Sequence, residues 1–493
     1  MRMIQDPQVQ FGQVDIAKIQ FDARSRDDIP AALKGLQYIY ITPEVREKVF
    51  ALLEASLAST ARKDKGRPGM EVWKIFVLGT LKSALDCDFD RLQELANNHQ
   101  QLRQMLGHSG WADTHYYAMQ TLVDNITLLK PETLVEINQV VVECGHALLK
   151  KKPCDELHAR CDSFVVETDV HYPTDTNLLW DAMRKVLNGI GQACEKHGVS
   201  GWRQYRYNLR QVKKHFNRTR KVRYSNSTNP QQKVKREQEV HETYRAYLLI
   251  STMLIERTEV SLIELAAHDL IGAEAIARYI KHARRQIDQI ERRVLKGEII
   301  AHEEKVFSIF EEHTEWVCKG KAGVPVELGV RVCVLEDQHQ FILHHHIMWK
   351  ETDDKVAVAM VDAAQQRYPQ LRQCSFDKGF YTPDNLTALN ESLDLAVMPK
   401  KGRLKQEDQA RESDERFQQA RRKHSAVESC INNLENRGLS RCRSYGKAGF
   451  ERHVALAIVS CNLHRLGLIL QRNERKRLQR QTQRNQKKLA EAA

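Results

Sequence analysis

The stretch "HARCDSFVVETDVHYPTDTNLLW", residues 158–180, contains the pattern that decides the fold. Residues 158–170 are rich in β-branched side chains, which predicts a β-strand. Acids crowd this segment and include Asp162 and Asp169, although strand-forming segments seldom contain so many. Either carboxylate could serve as a metal ligand, and their different positions along the strand distinguish them.

The chain as a whole is strongly basic. Its 493 residues have a formal net charge of +12. A surplus of this size is typical of proteins with polyanionic partners, most often nucleic acid, although a merely soluble basic protein would show it too. The longest apolar run, 247–255, is too short to span a bilayer, and the N-terminus lacks the apolar core of a signal peptide. We therefore expect a cytoplasmic, nucleoid-associated protein without a membrane partner.

Residues 1–150 predict a helical N-terminal domain. Residues 1–40 contain few periodic apolar side chains and are expected to be irregular. From Thr42, with Pro43 at a first helical position, apolar side chains recur at helical spacing, and a turn is expected at 65–70. Short helices and tight turns are compatible with a helix-turn-helix DNA reader and equally with a plain helical bundle.

The remaining elements predict an RNase H-like core. After the strand at 158–170 comes a helical insertion, and strands return from about residue 314, followed by helices alternating with strands. The fold class is therefore α+β or α/β, with a mixed sheet that is flanked by helices and interrupted after its first strand. The predicted divisions are a catalytic core at 155–175 and 311–470, an insertion at 176–310 and a basic C-terminal tail at 471–493.

The insertion contains a basic run at 201–224. No Asp or Glu occurs between Glu195 and Glu237. Basic side chains neutralise phosphates, and the interleaved aromatics Trp202, Tyr205, Tyr207, Phe216 and Tyr224 could stack on unpaired bases. A solvated helix face is the alternative. The predicted DNA contacts in this run are Arg206, Arg210, Lys213, Lys214, Arg218, Arg220 and Lys221.

Two further acids lie where a metal site could form. Asp377, in "CSFDKGFY", ends a short apolar strand and precedes Lys378-Gly379, which permits a sharp turn. Glu428, in "RRKHSAVESCINN", lies between apolar residues on a predicted helix. Each could also be an ordinary surface acid. One or two turns before Glu428 come three predicted DNA contacts: Arg421, Arg422 and His424.

Taken together, these motifs resemble a known family. The stretches 162–179, 374–385, 421–446 and 461–467 occur in the order found in the DDE transposases of bacterial insertion sequences, and the ISNCY-type group is the most similar. The N-terminal run 66–107 is also similar to the leading domain of these proteins. Each motif alone is weak, whereas their joint order and spacing are specific.

The resemblance implies a catalytic triad of Asp162, Asp377 and Glu428. These acids would bind two Mg²⁺ ions per active site, with Mn²⁺ able to substitute. Asp169 is the alternative first ligand, although it lies on the opposite pleat face from Asp162. The sequence departs from the family pattern at Phe164, His424 and Glu435, which replace a threonine, an arginine and a lysine.

The implied function is that of a transposase. Such a protein binds the terminal inverted repeats of its element, cuts DNA and joins the 3′-OH ends to target DNA. Its partner is double-stranded DNA, and pairing two ends implies a homodimer or a larger assembly. The alternatives are a non-catalytic DNA-binding protein derived from a transposase and a structure-selective nuclease with the same core.

Overall fold

The structure is a computed structural model that describes residues 3–5, 11–58, 69–111, 113–149, 155–224, 226–318 and 325–492. It divides into two compact units. The first comprises residues 1–169 and 329–493, and the second comprises residues 170–328. The turn predicted at 65–70 lies mostly outside the described residues.

Seven helices open the first unit and share one apolar core. One of them was not expected: Asp28–Ile41 falls largely within the segment predicted to be irregular. It begins because the Asp27 carboxylate accepts a hydrogen bond from the amide of Ile29, and its apolar side chains then become buried. The helices are α1 (Asp28–Ile41), α2 (Pro43–Ala58), α3 (Val72–Ala84), α4 (Phe89–Asn98), α5 (Gln100–Met105), α6 (Met119–Ile126) and α7 (Pro131–Leu148).

The sheet of the first unit is mixed, as predicted, and is compatible with an RNase H-like core. The central strand β1 pairs antiparallel with β3 and parallel with β5. β3 also pairs antiparallel with β4, β5 pairs parallel with β6, and β7 pairs parallel with the end of β1. The strands, with β2 in the second unit, are β1 (Leu157–Thr168), β2 (Glu315–Cys318), β3 (Val326–Asp337), β4 (Ile342–Met348), β5 (Leu371–Phe376), β6 (Leu395–Val397) and β7 (Arg441–Cys442).

Helices cover both faces of this sheet. On one face, Leu157, Ala159 and Cys161 pack with α12 (Asp353–Arg367) and α13 (Pro383–Ser392). α13 was not located from the sequence, although Thr382 caps it and Pro383 occupies its first turn. On the other face, Phe164 and Val166 pack with the later helices α16 (Ala426–Leu434) and α17 (Gly446–Ala492).

The pattern of residues 410–438 predicts one polar helix, but this segment forms parts of three short helices. The breaks fall at Asp414, which caps the second helix, and at Ser425, where a turn separates the second helix from α16. His424 and Glu428 therefore belong to different helices, although their spacing of four residues predicts that they share one helical face. The first two helices are α14 (Gln406–Ser413) and α15 (Glu415–His424).

The long C-terminal helix α17 packs against both the N-terminal helices and the sheet. Leu456, Val459 and Leu463 pack in the core of the N-terminal helices, while Val454 and Ile458 pack against the sheet. This helix therefore packs against residues on both sides of the domain boundary that the sequence predicts at residue 150. The predicted C-terminal tail continues α17 as a helix and is exposed from Arg475 to Gln486.

Within the described residues, α17 contains the one stretch, Gly446–Gln486, that is long and apolar enough to cross a membrane by length and composition. Of its most apolar window, 78% is buried inside the protein, as in the core helix of a soluble protein. The segment was not singled out from the sequence, because its charged second half obscures the apolar first half.

The second unit is helical, and its core is built from apolar faces of four helices. The place of Asp175 after Pro173 predicts that it caps the first of them, but Thr174 is the cap, and Asp175 is the first helical residue and binds Arg293. A short π-helical turn, Glu291–Leu295, follows the fourth helix. The four helices are α8 (Asp175–His197), α9 (Tyr205–Lys221), α10 (Pro230–Ala266) and α11 (Leu270–Ile290).

Candidate active site

The first two predicted catalytic acids are neighbours in the sheet. The parallel pairing of β1 with β5 ends at Cys161 and Phe376. Asp162 and Asp377 each follow one of these paired residues, and the backbone of Asp377 is still extended. Continuing the register by one residue places both acids side by side on the same face, because paired residues of neighbouring strands share a face.

Glu428 approaches this pair from the helix that covers the same face. It lies in the first turn of α16, which packs against Phe164 and Val166 through Cys430 and Leu434. Asp162, Phe164 and Val166 alternate along β1 and therefore share a pleat face. The fold thus brings an acid from a central strand, an acid from a strand end and an acid from a facing helix toward one another.

Electrostatics connect all three acids. The pKa of Asp162 is raised to about 6, chiefly by burial, and the charges of Asp377, Asp353 and Glu428 add to the increase. A hydrogen bond from the amide of Ser163 to Asp162 Oδ1, 2.8 Å long, acts in the opposite direction. Like charges disfavour ionisation of a shared site, and a bound cation relieves this effect.

Asp353 is a fourth carboxylate, which was not predicted from the sequence. It is the first residue of α12, and its Oδ1 accepts a hydrogen bond from Ser163 Oγ at 2.6 Å. A Cβ atom at Gly379 would lie 2.9 Å from Asp353 Oδ2, so a glycine after Asp377 lets this carboxylate approach. The helix-start pattern "TDD" at 352–354 is the available sequence signal, but it does not indicate which strand the helix start faces.

Two basic groups border the acids. Arg160 donates to Glu336 at 2.7 Å, and the pKa of the buried Glu336 is raised to about 7, chiefly by burial. His424 Nδ1 and Ser375 Oγ are 3.0 Å apart and share a hydrogen bond. Burial lowers the pKa of His424, and the charges of Asp377 and Glu428 oppose this change. His424 therefore faces the sheet, whereas its predicted contact with DNA phosphate stays a prediction.

Asp169, the alternative first ligand, lies elsewhere. It follows the end of β1, is exposed, and lies 3.8 Å from Arg441. Glu167 binds the same guanidinium at 3.0 Å. The position of Asp169 favours Asp162 as the strand acid of the candidate site.

The donor set suits Mg²⁺ by its chemistry, since this ion prefers oxygen ligands and needs few carboxylates. In the part of the chain that the structure describes, no group of three or more His, Cys, Asp or Glu side chains is close enough to hold an ion. The acids thus share a charged environment without forming a closed coordination shell.

The predicted DNA-contacting residues of α9 are all exposed. Their helix buries the opposite side, where Val212 and Phe216 pack in the core of the second unit. Three aromatics expected to stack on bases, Trp202, Tyr205 and Phe216, are instead part of that core, because they fall on the apolar face of the helix or just before it. Tyr207 and Tyr224 remain half exposed. Arg421 and Arg422 on α15 are exposed as well.

Asp162, Asp377 and Glu428 thus form an acidic centre on one face of the mixed sheet. Residues 297–463 match a family model described as the transposase DDE domain, which covers about a third of the chain. The matched range includes Asp377 and Glu428 and begins after Asp162. No curated protein matches the chain, and no solved structure does. The match supports a DDE transposase in general terms.

Proposed function

We propose that this protein is the transposase of a bacterial insertion sequence of the ISNCY-type group. It would bind the terminal inverted repeats of its element, cut the DNA at their ends, and join the 3′-OH ends to target DNA. The placement of Asp162 beside Asp377, under the helix that carries Glu428, is the observation that supports this function most strongly. The match of residues 297–463 to a transposase domain supports it independently.

In this proposal, Asp162, Asp377 and Glu428 hold two Mg²⁺ ions, or Mn²⁺ in their place. When bound, such ions supply positive charge that stabilises the attacking and leaving oxygens of phosphodiester cleavage. The protein holds the three carboxylates near one another, on β1, after β5 and on α16. Because the pKa of Asp162 is about 6, a fraction of this carboxyl is protonated near neutral pH, and cation binding should release that proton.

DNA would contact other surfaces as well. The exposed basic side of α9 is suited to phosphates, since it combines many cations with no acid in the run. The N-terminal helices would read the terminal repeats. Pairing two ends requires at least a homodimer, and a protein that acts on chromosomal DNA would work in the cytoplasm at the nucleoid.

A second candidate is a non-catalytic DNA-binding protein that retains the transposase fold. The carboxylates lie near one another without a group that could hold an ion among the described residues, and this observation favours the candidate. Such a protein would bind DNA through the same basic surface but would not cut it.

Cleavage of labelled DNA carrying the repeats that flank the gene distinguishes the two candidates. The wild type, Asp377→Asn and Asp169→Asn would be compared in Mg²⁺ and in EDTA. Cuts at the repeat ends that need Mg²⁺, disappear in Asp377→Asn and persist in Asp169→Asn would support the transposase. DNA binding without cuts in any of the three proteins would favour the non-catalytic candidate.

A further inference from the structure

The helix α10 of the second unit has apolar side chains on two opposite faces. One face packs in the core of this unit and includes Tyr247, Leu254 and Ile255. The apolar side chains of the other face are exposed, and two more exposed apolar side chains follow where α11 begins. Each of them has between 56% and 80% of its surface exposed. Together they form the α10 stripe: Leu249, Met253, Val260, Ile263, Leu270 and Ile271.

The α10 stripe has the spacing of a coiled-coil seam. From Leu249 to Ala267 its positions recur at alternating intervals of four and three residues, with Glu256 as the one charged member of the series. This series extends about 27 Å along the helix. So narrow a seam fits a second helix with the same repeat, whereas a membrane-bound helix has a wider apolar face bordered by Lys and Arg.

The charges beside the stripe are mostly acidic. Between residues 246 and 267 there are three acids, Glu256, Glu259 and Glu264, and one base, Arg257. DNA and anionic lipids both attract cations, so neither suits this surface, although the chain as a whole is basic. The chemistry of the stripe therefore calls for a protein surface that is itself apolar and offers a cation near Glu256.

A second copy of the same helix offers such a cation. The guanidinium of Arg257 lies over the ring of Trp202, with its Cζ 4.8 Å from the ring centroid, and donates a hydrogen bond to the carbonyl oxygen of Gly201. These two contacts involve no anion. They hold the positive charge at the border of the stripe, one residue after Glu256.

The stripe is complementary to itself when two helices run antiparallel. A two-fold axis near Glu256 places this carboxylate of each copy close to Arg257 of the partner subunit. A parallel, in-register pair would instead bring the two Glu256 carboxylates together, and like charges repel. The area is sufficient, since six large apolar side chains that are mostly exposed offer on the order of the 800 Å² that each partner buries in a stable interface.

We propose that the α10 stripe is a homodimer interface in which two copies of α10 pair antiparallel. Leu249 and Met253 of each copy contact Val260 and Ile263 of the partner subunit, and Glu256 lies near the two-fold axis. The second unit thereby joins two copies of the chain before DNA binds. The inference deepens the proposed function by assigning the surface of its homodimer, and it rests on that function only for the need of a second copy.

The oligomeric state of the full-length protein, measured by sedimentation equilibrium without DNA, tests the interface. We expect a dimer with a Kd of about 1 μM or below, since interfaces of this size range from micromolar to picomolar affinity. Val260→Glu should raise this Kd at least about a hundredfold, because it replaces an apolar contact by a charge in both copies.

Val234→Glu is the matched control and should dimerise like the wild type. Val234 is 54% exposed on the same helix but lies about 39 Å along it from Val260. Because both valines are exposed, neither variant should lower the melting temperature, so a monomeric Val260→Glu reports the interface and not the fold.

Disulfide formation under diamide tests the antiparallel arrangement. The background is Cys318→Ser, since Cys318 is exposed. Residues 249 and 263 lie about 21 Å apart within one copy, too far for a disulfide, but they meet between antiparallel copies. Leu249→Cys combined with Ile263→Cys should therefore give a covalent dimer, whereas Ile263→Cys alone should not.

A wild type that stays monomeric at about 100 μM would overturn the proposal, as would Val260→Glu that dimerises as tightly as the wild type. Covalent dimers of Ile263→Cys alone would overturn the antiparallel arrangement. A monomeric wild type that sediments with vesicles of phosphatidylglycerol and phosphatidylethanolamine would assign the stripe to a membrane and overturn the second copy as its partner.

A monomer in which Ile263→Cys resists a maleimide would likewise overturn the proposal, because a segment of the same chain would then cover the stripe. The proposed function fails in a different way. A dimeric wild type that does not cut the repeat ends in Mg²⁺ would count against that function and leave the α10 interface in place.

Discussion

Asp162 and Asp377 occupy adjacent positions on two parallel strands, each one residue beyond the paired residues Cys161 and Phe376. Asp162 lies inside β1, and Asp377 lies just after β5 ends. The first acid is therefore half-buried and the second is exposed. Asp162 can therefore be tested through the pH dependence of the free energy of unfolding, and Asp377 through stabilisation by divalent cations.

The ionisation of Asp162 should destabilise the fold at high pH. Its pKa is about 6 in the folded protein and near 3.8 when unfolded, so the folded state binds the proton more tightly. The resulting stability is present below about pH 4 and is lost as the pH rises through about 6. Asp162→Asn removes this effect and should raise the free energy of unfolding at pH 8 by about 1–3 kcal/mol.

Urea unfolding at pH 4 and pH 8, in EDTA, measures this difference between Asp162→Asn and the wild type. Asp169→Asn serves as the control, since Asp169 is exposed and near Arg441. A gain at pH 8 that vanishes at pH 4 supports the buried, crowded environment of Asp162. The same gain at both pH values would contradict it.

Divalent cations should stabilise the wild type. A ligand that binds only the folded state at about 100 times its dissociation constant adds about 2.7 kcal/mol. We expect Mg²⁺ or Mn²⁺ to raise the melting temperature of the wild type by several degrees, and Asp377→Asn or Glu428→Gln to reduce that shift by at least half. Differential scanning fluorimetry with and without EDTA measures it. Asp169→Asn should respond like the wild type, and an equal shift in all variants would place the cation elsewhere.

The basic face of α9 should control the salt dependence of DNA binding. Each phosphate contact contributes about 0.9 to the slope of log affinity against log salt concentration. Arg210→Gln combined with Lys214→Gln should lower the slope by about two if both residues contact phosphate. The control pair, Lys281→Gln with Lys355→Gln, removes the same charge from exposed positions on α11 and α12. Identical slopes for the two double variants would indicate that α9 is only a solvated face.

The sequence predicted the strands better than the way in which distant segments pack. Runs rich in β-branched residues located β1, β3 and β4, and the end of an apolar run placed Asp377 at a strand end. The approach of Asp353 to Asp162 depends on how α12 packs, which no local pattern encodes. Likewise, Tyr205 and Phe216 lie within a basic run of the chain, yet the helical period buries them and exposes the cations.

The close packing of α1 against α17 yields a final prediction. A Cβ atom at Gly467 would overlap the carbonyl oxygen of Ala31, and one at Gly35 would overlap the carbonyl oxygen of Leu463. Because both obstacles are backbone atoms, rotation of a side chain cannot relieve them. Gly467→Ala should therefore lower the free energy of unfolding by about 3 kcal/mol, at the upper end of overpacking effects.

Urea unfolding of Gly467→Ala should be compared with that of Leu468→Ala. Leu468 is 37% exposed on the same turn, and its truncation should cost about 1 kcal/mol or less. Since α17 also packs against the sheet, a weakened contact between α1 and α17 should lower the stability of the N-terminal helices and the sheet in a single transition. Two separate transitions, with only the N-terminal helices affected, would show instead that residues 1–150 fold as an independent domain.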